Sequence, residues 1–127
     1  MSKINPTCKE VIEKSEWLAI ATAGPDGPHL AACWSESVRA LGYQDDVIRI
    51  PAWSYFRTEE NLKRNPRVEL LFASRQVSRP KGQGQGCRLI GHGELQTSGP
   101  NAEAVKARFP GTRGALVISI ESAAIQL

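Results

Sequence analysis

Hydrophobic and polar residues alternate along several short stretches of the chain, which is the pattern of β-strands. In residues 17–23, WLAIATA, the side chains of Leu18, Ile20 and Thr22 point to one face and the alanines to the other. A dense turn signal, GPDGP, separates this strand from a second extended run over residues 29–34, and together they predict a hairpin. Four more strands are predicted over residues 47–51, 68–74, 87–96 and 115–121.

Apolar residues at helical spacing predict three short helices, over residues 6–15, 58–64 and 100–109. In the first helix, Cys8, Val11, Ile12 and Ser15 share one side. The second helix is expected to stop at Asn65-Pro66. About six strands and three helices without βαβ alternation predict an α+β, mainly β domain built around a small barrel.

Glycine marks two places in this pattern. The basic, glycine-rich segment 75–86 is predicted to be a mobile surface loop between the fourth and fifth strands. Gly91 and Gly93 fall on one face of the fifth strand, with Leu89 and Leu95. Two glycines there indicate close approach of another backbone or of a ligand.

Length and charge narrow the class of protein. The 127 residues suit a single domain over 1–127, which excludes a large enzyme with separate cofactor and substrate domains. A net charge of +3 is weaker than dedicated nucleic-acid modules carry. An apolar leader and an 18-residue apolar run are both missing from the sequence, so we expect a soluble, cytoplasmic protein that binds no membrane.

The three cysteines, Cys8, Cys33 and Cys87, are scattered and show no C-x-x-C or C-x-x-H spacing. This pattern argues against a disulfide framework and against zinc, and it favours a reducing compartment. Cys33 and Cys87 are expected to be small buried hydrophobic residues.

The most informative stretch for chemistry is PAWSYFRTEEN, residues 51–61, where a strand ends and a helix begins at Thr58. A helix N-terminus presents free N–H groups to a phosphate, Arg57 adds a cationic fork, and Ser54 and Thr58 add hydroxyl donors. The simpler interpretation is that Thr58 is only the N-cap, with the two following glutamates satisfying the helix dipole.

Three large rings, Trp34, Trp53 and Tyr55, stand near predicted strand ends. Flat side chains beside strands with small residues suit a planar heteroaromatic ligand. The alternative is that at least two of these rings belong to the core or to a subunit interface.

Other motifs give little support for hydrolytic or metal chemistry. His29 and His92 have no carboxylate or cysteine at ligand spacing, which favours structural or surface roles. The sequence has no Ser-His-Asp set, H-E-x-x-H helix or Walker loop, so no catalytic residue is assigned. GQGQG lacks the strand and helix that flank a dinucleotide fingerprint.

The order and spacing of WLAIATAGPDGPHLAACW, RTEENLKRNPRVELLF and GCRLIGHGEL resemble the FMN-binding split-barrel family typified by pyridoxamine 5'-phosphate oxidase. The likeness runs from about residue 8 to Leu127 and is strongest to its branch of small FMN-binding proteins in sulfate-reducing bacteria. The resemblance implies a six-stranded antiparallel split β-barrel with Greek-key-like topology. It also implies one FMN per subunit and a homodimer with FMN at the subunit interface.

Carried over by position, the resemblance assigns the phosphate clamp to Arg57 and Thr58. It assigns contacts with the flavin ring to Ala32, Cys33 (through its backbone) and Trp34, and contacts with the polar edge of the ring to Ile50, Pro51 and Ala52. It assigns further flavin or phosphate contacts to Ser74 and Arg75, and a contact with the partner's flavin to the tail that ends at Leu127.

The chain departs from its relatives at several positions. Ser37 and Gly111 stand where aromatic residues are expected near the flavin, and Trp53-Ser54 replaces two glycines. Trp53 is therefore a candidate for the missing aromatic surface. The substrate-binding Arg and His motifs of true pyridoxamine-phosphate oxidases are absent from the sequence, which argues against that activity.

The expected function is FMN-dependent electron transfer or oxidoreduction, with NAD(P)H or a redox protein as partner. The alternatives are haem, with His29 or His92 as axial ligand, the deazaflavin F420, or a flavin carrier or sensor without turnover. A nucleic-acid contact is a further alternative, weakened by the lack of aromatic residues among its candidate side chains: Arg75, Arg79, Lys81 and Arg88.

Overall fold

The computed structural model describes residues 2–126, and its six strands form one antiparallel sheet. The strand order β2-β1-β4-β5-β6-β3 confirms the predicted antiparallel split barrel. None of the helices in these residues is long and apolar enough to cross a membrane. In chain order the elements are α1 (Pro6–Lys14), β1 (Trp17–Gly24), β2 (Gly27–Trp34), α2 (Ser35–Leu41), a 3₁₀ helix (Gln44–Asp46), β3 (Val47–Ala52), α3 (Phe56–Arg64), β4 (Arg67–Arg79), β5 (Gly82–Gln96), α4 (Pro100–Arg108) and β6 (Gly114–Gln126).

Strand β1 shows how the alternating pattern builds the core. Leu18, Ile20 and Thr22 are buried while the intervening alanines are less so, as predicted. The inward residues join one main apolar cluster with side chains of the other strands and of α1. Removing these apolar surfaces from water is the main stabilising contribution to such a fold.

Close approach of protein atoms accounts for Gly91 and Gly93 of β5. A methyl group at Gly91 would clash with the carbonyl oxygen of Ser119, at the point where the register between β5 and β6 shifts. At Gly93 it would crowd the side chains of Val68 and Leu62. The glycines thus let a neighbouring strand and the core pack tightly.

The predicted mobile loop over residues 75–86 is wrong. Strands β4 and β5 continue to Arg79 and Gly82 and pair as a hairpin, with Val77 fully buried beneath it. The glycines of segment 75–86 interrupt the alternation that predicts a strand. Val77 alone, as a buried apolar side chain, cannot show a period. The predicted tail is also strand, because β6 extends to Gln126 and pairs with Gly86.

Helix α2 was not predicted, so the structure has four α-helices where three were expected. It is only seven residues long, and Ser35 and Val38 are its buried residues. A single buried apolar side chain, Val38, cannot establish a helical period.

The expectation that the cysteines stay unpaired is wrong for two of them. Cys8 of α1 forms a disulfide with Cys87 of β5, 79 residues away, with a Cα–Cα distance of 5.2 Å. Both residues are fully buried, so the predicted burial of Cys87 is confirmed, whereas Cys33 is free and only partly buried. The pairing arises because α1 packs across β4 and β5, a contact that sequence spacing does not encode.

Candidate functional site

A cavity of about 610 Å³ opens where the end of β2 meets the turn between β3 and α3. We call it the aromatic cavity, because three tryptophans and a tyrosine contribute to its wall. Its lining contains one charged residue, Glu16. The complete lining is Glu16, Trp17, Ala32, Cys33, Trp34, Ser37, Pro51, Trp53 and Tyr55.

The tryptophans of the aromatic cavity are not core residues. Trp17 and Trp34 are cross-strand partners on β1 and β2, and they are 53% and 62% exposed. Trp53 is 58% exposed, and a Cβ added at Gly111 would lie 3.5 Å from its ring. Gly111 and Ser37 are the two positions at which an aromatic residue was expected. Trp53 lies against Gly111 and lines the cavity together with Ser37.

Tyr55 connects the cavity wall to the start of α3. Its hydroxyl donates a 2.6 Å hydrogen bond to the carbonyl oxygen of Ala32 on β2. Burial raises the pKa of the Tyr55 phenol, and the adjacent Cys33 raises it further. Burial also raises the pKa of the Cys33 thiol, partly offset by hydrogen bonds with Tyr55 and Ser37. Both groups are therefore neutral at physiological pH.

Helix α3 begins two residues earlier than predicted, with Tyr55 rather than Thr58 as its N-cap. The interpretation of Thr58 as the N-cap is therefore wrong. No side chain caps this helix. Thr58 is 1% exposed, and its hydroxyl has no hydrogen-bond partner within residues 2–126. A buried hydroxyl without a partner costs free energy, which makes this position unusual.

Arg113 is a site residue that sequence reasoning missed. Its guanidinium donates two hydrogen bonds to the carbonyl oxygen of Ser54, at 2.9 and 2.7 Å, and lies over the Phe56 ring at 4.1 Å. It also pairs with Glu59 at 3.0 Å, which turns that carboxylate toward a cation at the start of α3. Arg113 is 54 positions from Glu59, and no local motif signals their contact.

The cavity brings together four of the predicted site residues: Ala32, Cys33, Trp34 and Pro51. Ser54, Arg57 and Thr58 follow directly in the β3–α3 turn and the first turn of α3. Arg57 is exposed, and its guanidinium makes no ion pair or hydrogen bond inside the described range 2–126.

The remaining predicted site residues lie apart from the cavity. Ile50 and Ala52 are fully buried. The Ser74 hydroxyl donates to the carbonyl oxygen of Lys14 and accepts from the Gln76 N–H, so it joins β4 to the end of α1. Arg75 is exposed on β4, and Leu127 lies outside the described residues.

Neither histidine lines the aromatic cavity. His92 is exposed on β5 and pairs with Glu121 at 3.1 Å, which agrees with its predicted surface role. In the part of the chain that the structure describes, no group of three metal-ligating side chains comes together.

The chain matches the family model described as pyridoxamine 5'-phosphate oxidase over residues 4–126. It is 39% identical over 114 residues to a protein named FMN-binding protein from Nitratidesulfovibrio vulgaris, covering 90% of this chain and 91% of that protein. Among solved structures, HupZ of Group A Streptococcus superposes with a TM-score of 0.76 at 24% identity, covering 96% and 93% of the two chains. An FMN-binding protein from Syntrophomonas wolfei gives a TM-score of 0.63 at 14% identity, covering 94% and 88%.

Proposed function

The chain belongs to the pyridoxamine 5'-phosphate oxidase family, and from that premise we propose that it is a flavoprotein that binds FMN. The flavin ring lies in the aromatic cavity and its phosphate at the N-terminus of α3. One observation carries the proposal: the cavity adjoins a helix start that lacks a side-chain cap and holds an unpaired buried hydroxyl. The 39% identical relative that is named for FMN binding supports the choice of flavin.

The phosphate half of the proposed site is the first turn of α3. Its free N–H groups and the positive end of the helix dipole favour an anion there. Arg57 adds a planar, permanently charged fork that is not engaged elsewhere in residues 2–126. A phosphate oxygen also gives the Thr58 hydroxyl the acceptor that the protein does not provide. Arg113 holds Glu59, which reduces the repulsion between that carboxylate and the ligand.

The ring half of the proposed site is the wall of the aromatic cavity. Large apolar faces exclude water and stack well on a planar heteroaromatic system. FMN, when bound, supplies the hydride or electron chemistry, and the protein supplies binding, orientation and electrostatics. We propose electron transfer or flavin-dependent oxidoreduction, with a nicotinamide nucleotide or a redox protein as partner.

A homodimer completes the proposal, because the outer face of β2-β1-β4 carries an exposed apolar patch. Leu30 is 70% exposed and Leu71 is 44% exposed, and both lie beside outward-facing alanines of β1. Trp17 and Trp34 continue this face into the aromatic cavity. A second copy placed on this face would bury these side chains and cover the cavity mouth, which supports a flavin at the subunit interface.

The test is titration of purified apoprotein with FMN, riboflavin, FAD and haem, followed by visible absorbance and tryptophan fluorescence. We expect stoichiometric FMN binding, tighter than that of riboflavin. Arg57→Ala should weaken FMN binding by about 1.5–3 kcal/mol, or more than tenfold, through loss of a charge-assisted contact. Arg108→Ala, at an exposed arginine of α4, is the matched control and should bind FMN normally.

Several results would contradict the proposal. Equal binding of FMN and riboflavin would contradict the phosphate site, and a Soret band without flavin binding would favour haem. Oxidation of NAD(P)H by the FMN-loaded protein then separates an oxidoreductase from a flavin carrier or sensor.

A further inference from the structure

We propose that Tyr55 is a positioning residue that holds the phosphate-binding start of α3 at a set distance from the ring-binding wall on β2. The inference rests on the proposed function and adds a role for a cavity-lining residue that also caps α3. It starts from a backbone irregularity.

Tyr55 has φ 60° and ψ 33°, which is the left-handed region. Three non-glycine residues among positions 2–126 have positive φ, and the other two are Asp45 and Asp46 of the 3₁₀ helix. Aspartate tolerates this region because its short side chain bonds locally, but a bulky aromatic residue rarely adopts it. Such a conformation persists only where surrounding contacts hold it, and it is concentrated at functional positions.

Three contacts hold Tyr55 in this conformation. Its hydroxyl donates to the carbonyl oxygen of Ala32 at 2.6 Å. Its own carbonyl oxygen accepts the first hydrogen bond of α3, from the Glu59 N–H at 2.9 Å. Its partly buried ring packs against the main core cluster. The left-handed turn sends the chain into α3 while the side chain reaches β2.

Ala32 is a suitable anchor because β2 is an edge strand. A carbonyl on the open side of an edge strand has no ladder partner, which leaves it available to a side-chain donor such as the Tyr55 hydroxyl. On the other side of Tyr55, Arg113 fixes the carbonyl oxygen of Ser54. The segment between the cavity and α3 is thus tied at both ends, and Tyr55 supplies the tie to the ring-binding wall.

Loss of the Tyr55 hydroxyl should affect the two halves of the site differently. Loss of the hydroxyl frees α3 from β2 and leaves the ring of residue 55 in the cavity wall. A ligand that spans both halves should then bind more weakly, whereas a ligand that occupies only the ring half should be little affected. Riboflavin is FMN without the phosphate, so the pair separates the two halves.

The experiment measures dissociation constants for FMN and riboflavin in the unmodified protein, in Tyr55→Phe and in Tyr43→Phe. Tyr43 is the matched control because its hydroxyl also makes a side-chain hydrogen bond, to Glu13 at 2.7 Å, away from the cavity. We expect Tyr55→Phe to weaken FMN binding about three- to tenfold, the effect of one hydrogen bond, and riboflavin binding less than twofold. Tyr43→Phe should leave both constants unchanged. Circular dichroism melting checks that each variant is folded.

Equal losses for FMN and riboflavin in Tyr55→Phe would overturn the positioning role, because they would indicate a direct contact with the ring. Unchanged constants for both ligands would overturn it as well. An unmodified protein that does not prefer FMN over riboflavin would instead overturn the proposed function, so the two failures are distinguishable.

Discussion

Helices α1 and α3 are both nine residues long and both pack on the same sheet, yet they begin in opposite ways. At α1, the Asn5 side chain accepts a 2.8 Å hydrogen bond from the Cys8 N–H, and Pro6 removes one N–H from the first turn. Cys8 itself is tied to β5 by the disulfide. The start of α1 thus combines a side-chain cap, a proline and a covalent bond to the sheet.

The start of α3 lacks these features. Tyr55 caps it in a left-handed conformation without a side-chain hydrogen bond to the helix, and the buried Thr58 hydroxyl has no partner among residues 2–126. Its inward face is also partly polar, since Asn61 is buried and bonds to Thr22. The difference supports the proposal that the start of α3 binds a ligand at some cost in stability, whereas the start of α1 serves the fold.

The largest expected effect concerns α1 and its disulfide to β5. Cys8→Ser should lower the free energy of unfolding by about 2–5 kcal/mol, because the disulfide constrains a long loop in the unfolded chain. Cys33→Ser, at the free cysteine, should change it little. Urea unfolding without reductant measures both variants, and thiol counting in the denatured protein checks the bond. Three reactive thiols in freshly purified denatured protein would contradict the pairing.

The next prediction is a variant in which the free energy of unfolding rises while the affinity for FMN falls. Thr58→Val keeps the shape but removes the unpaired hydroxyl, so we expect about 1 kcal/mol higher stability and roughly tenfold weaker FMN binding. Thr112→Val is the matched control, since Thr112 is also buried but its hydroxyl donates to the carbonyl oxygen of Phe109 at 2.8 Å. That variant should be less stable and bind FMN normally. A less stable Thr58→Val would show that its hydroxyl is structurally satisfied.

The smallest effect tests whether the α1 start is only structural. Asn5→Ala removes the cap and should cost about 1 kcal/mol of unfolding free energy, while Asn5→Asp keeps an acceptor and should cost less. FMN affinity should be unchanged in both variants. Thermal melts and the same fluorescence titration supply the measurements. A weaker FMN complex in Asn5→Ala would remove the distinction between the two helices.

Local pattern predicted much of the scaffold. The alternation of Leu18, Ile20 and Thr22 identified β1 and its buried face, and the spacing in residues 6–15 identified α1. Ala32, Cys33, Trp34 and Pro51 entered the list of candidates from the resemblance, and the structure groups them in one cavity. Ile50 and Ala52 came from the same segment as Pro51; both are fully buried and do not line the cavity, so their assignment stays a prediction.

Three long-range contacts of this chain depend on tertiary structure. The Cys8–Cys87 bond, the Arg113–Glu59 pair and the contact of Tyr55 with Ala32 join residues that are far apart in sequence. Alternation and helical spacing arise from backbone geometry within a few residues, so the sequence by itself determined the strands, most helices and the family. Which side chains meet across the sheet depends on how whole elements pack. Only the tertiary structure therefore decided that Cys8 at the start of α1 is bonded to the sheet and that the start of α3 adjoins the aromatic cavity.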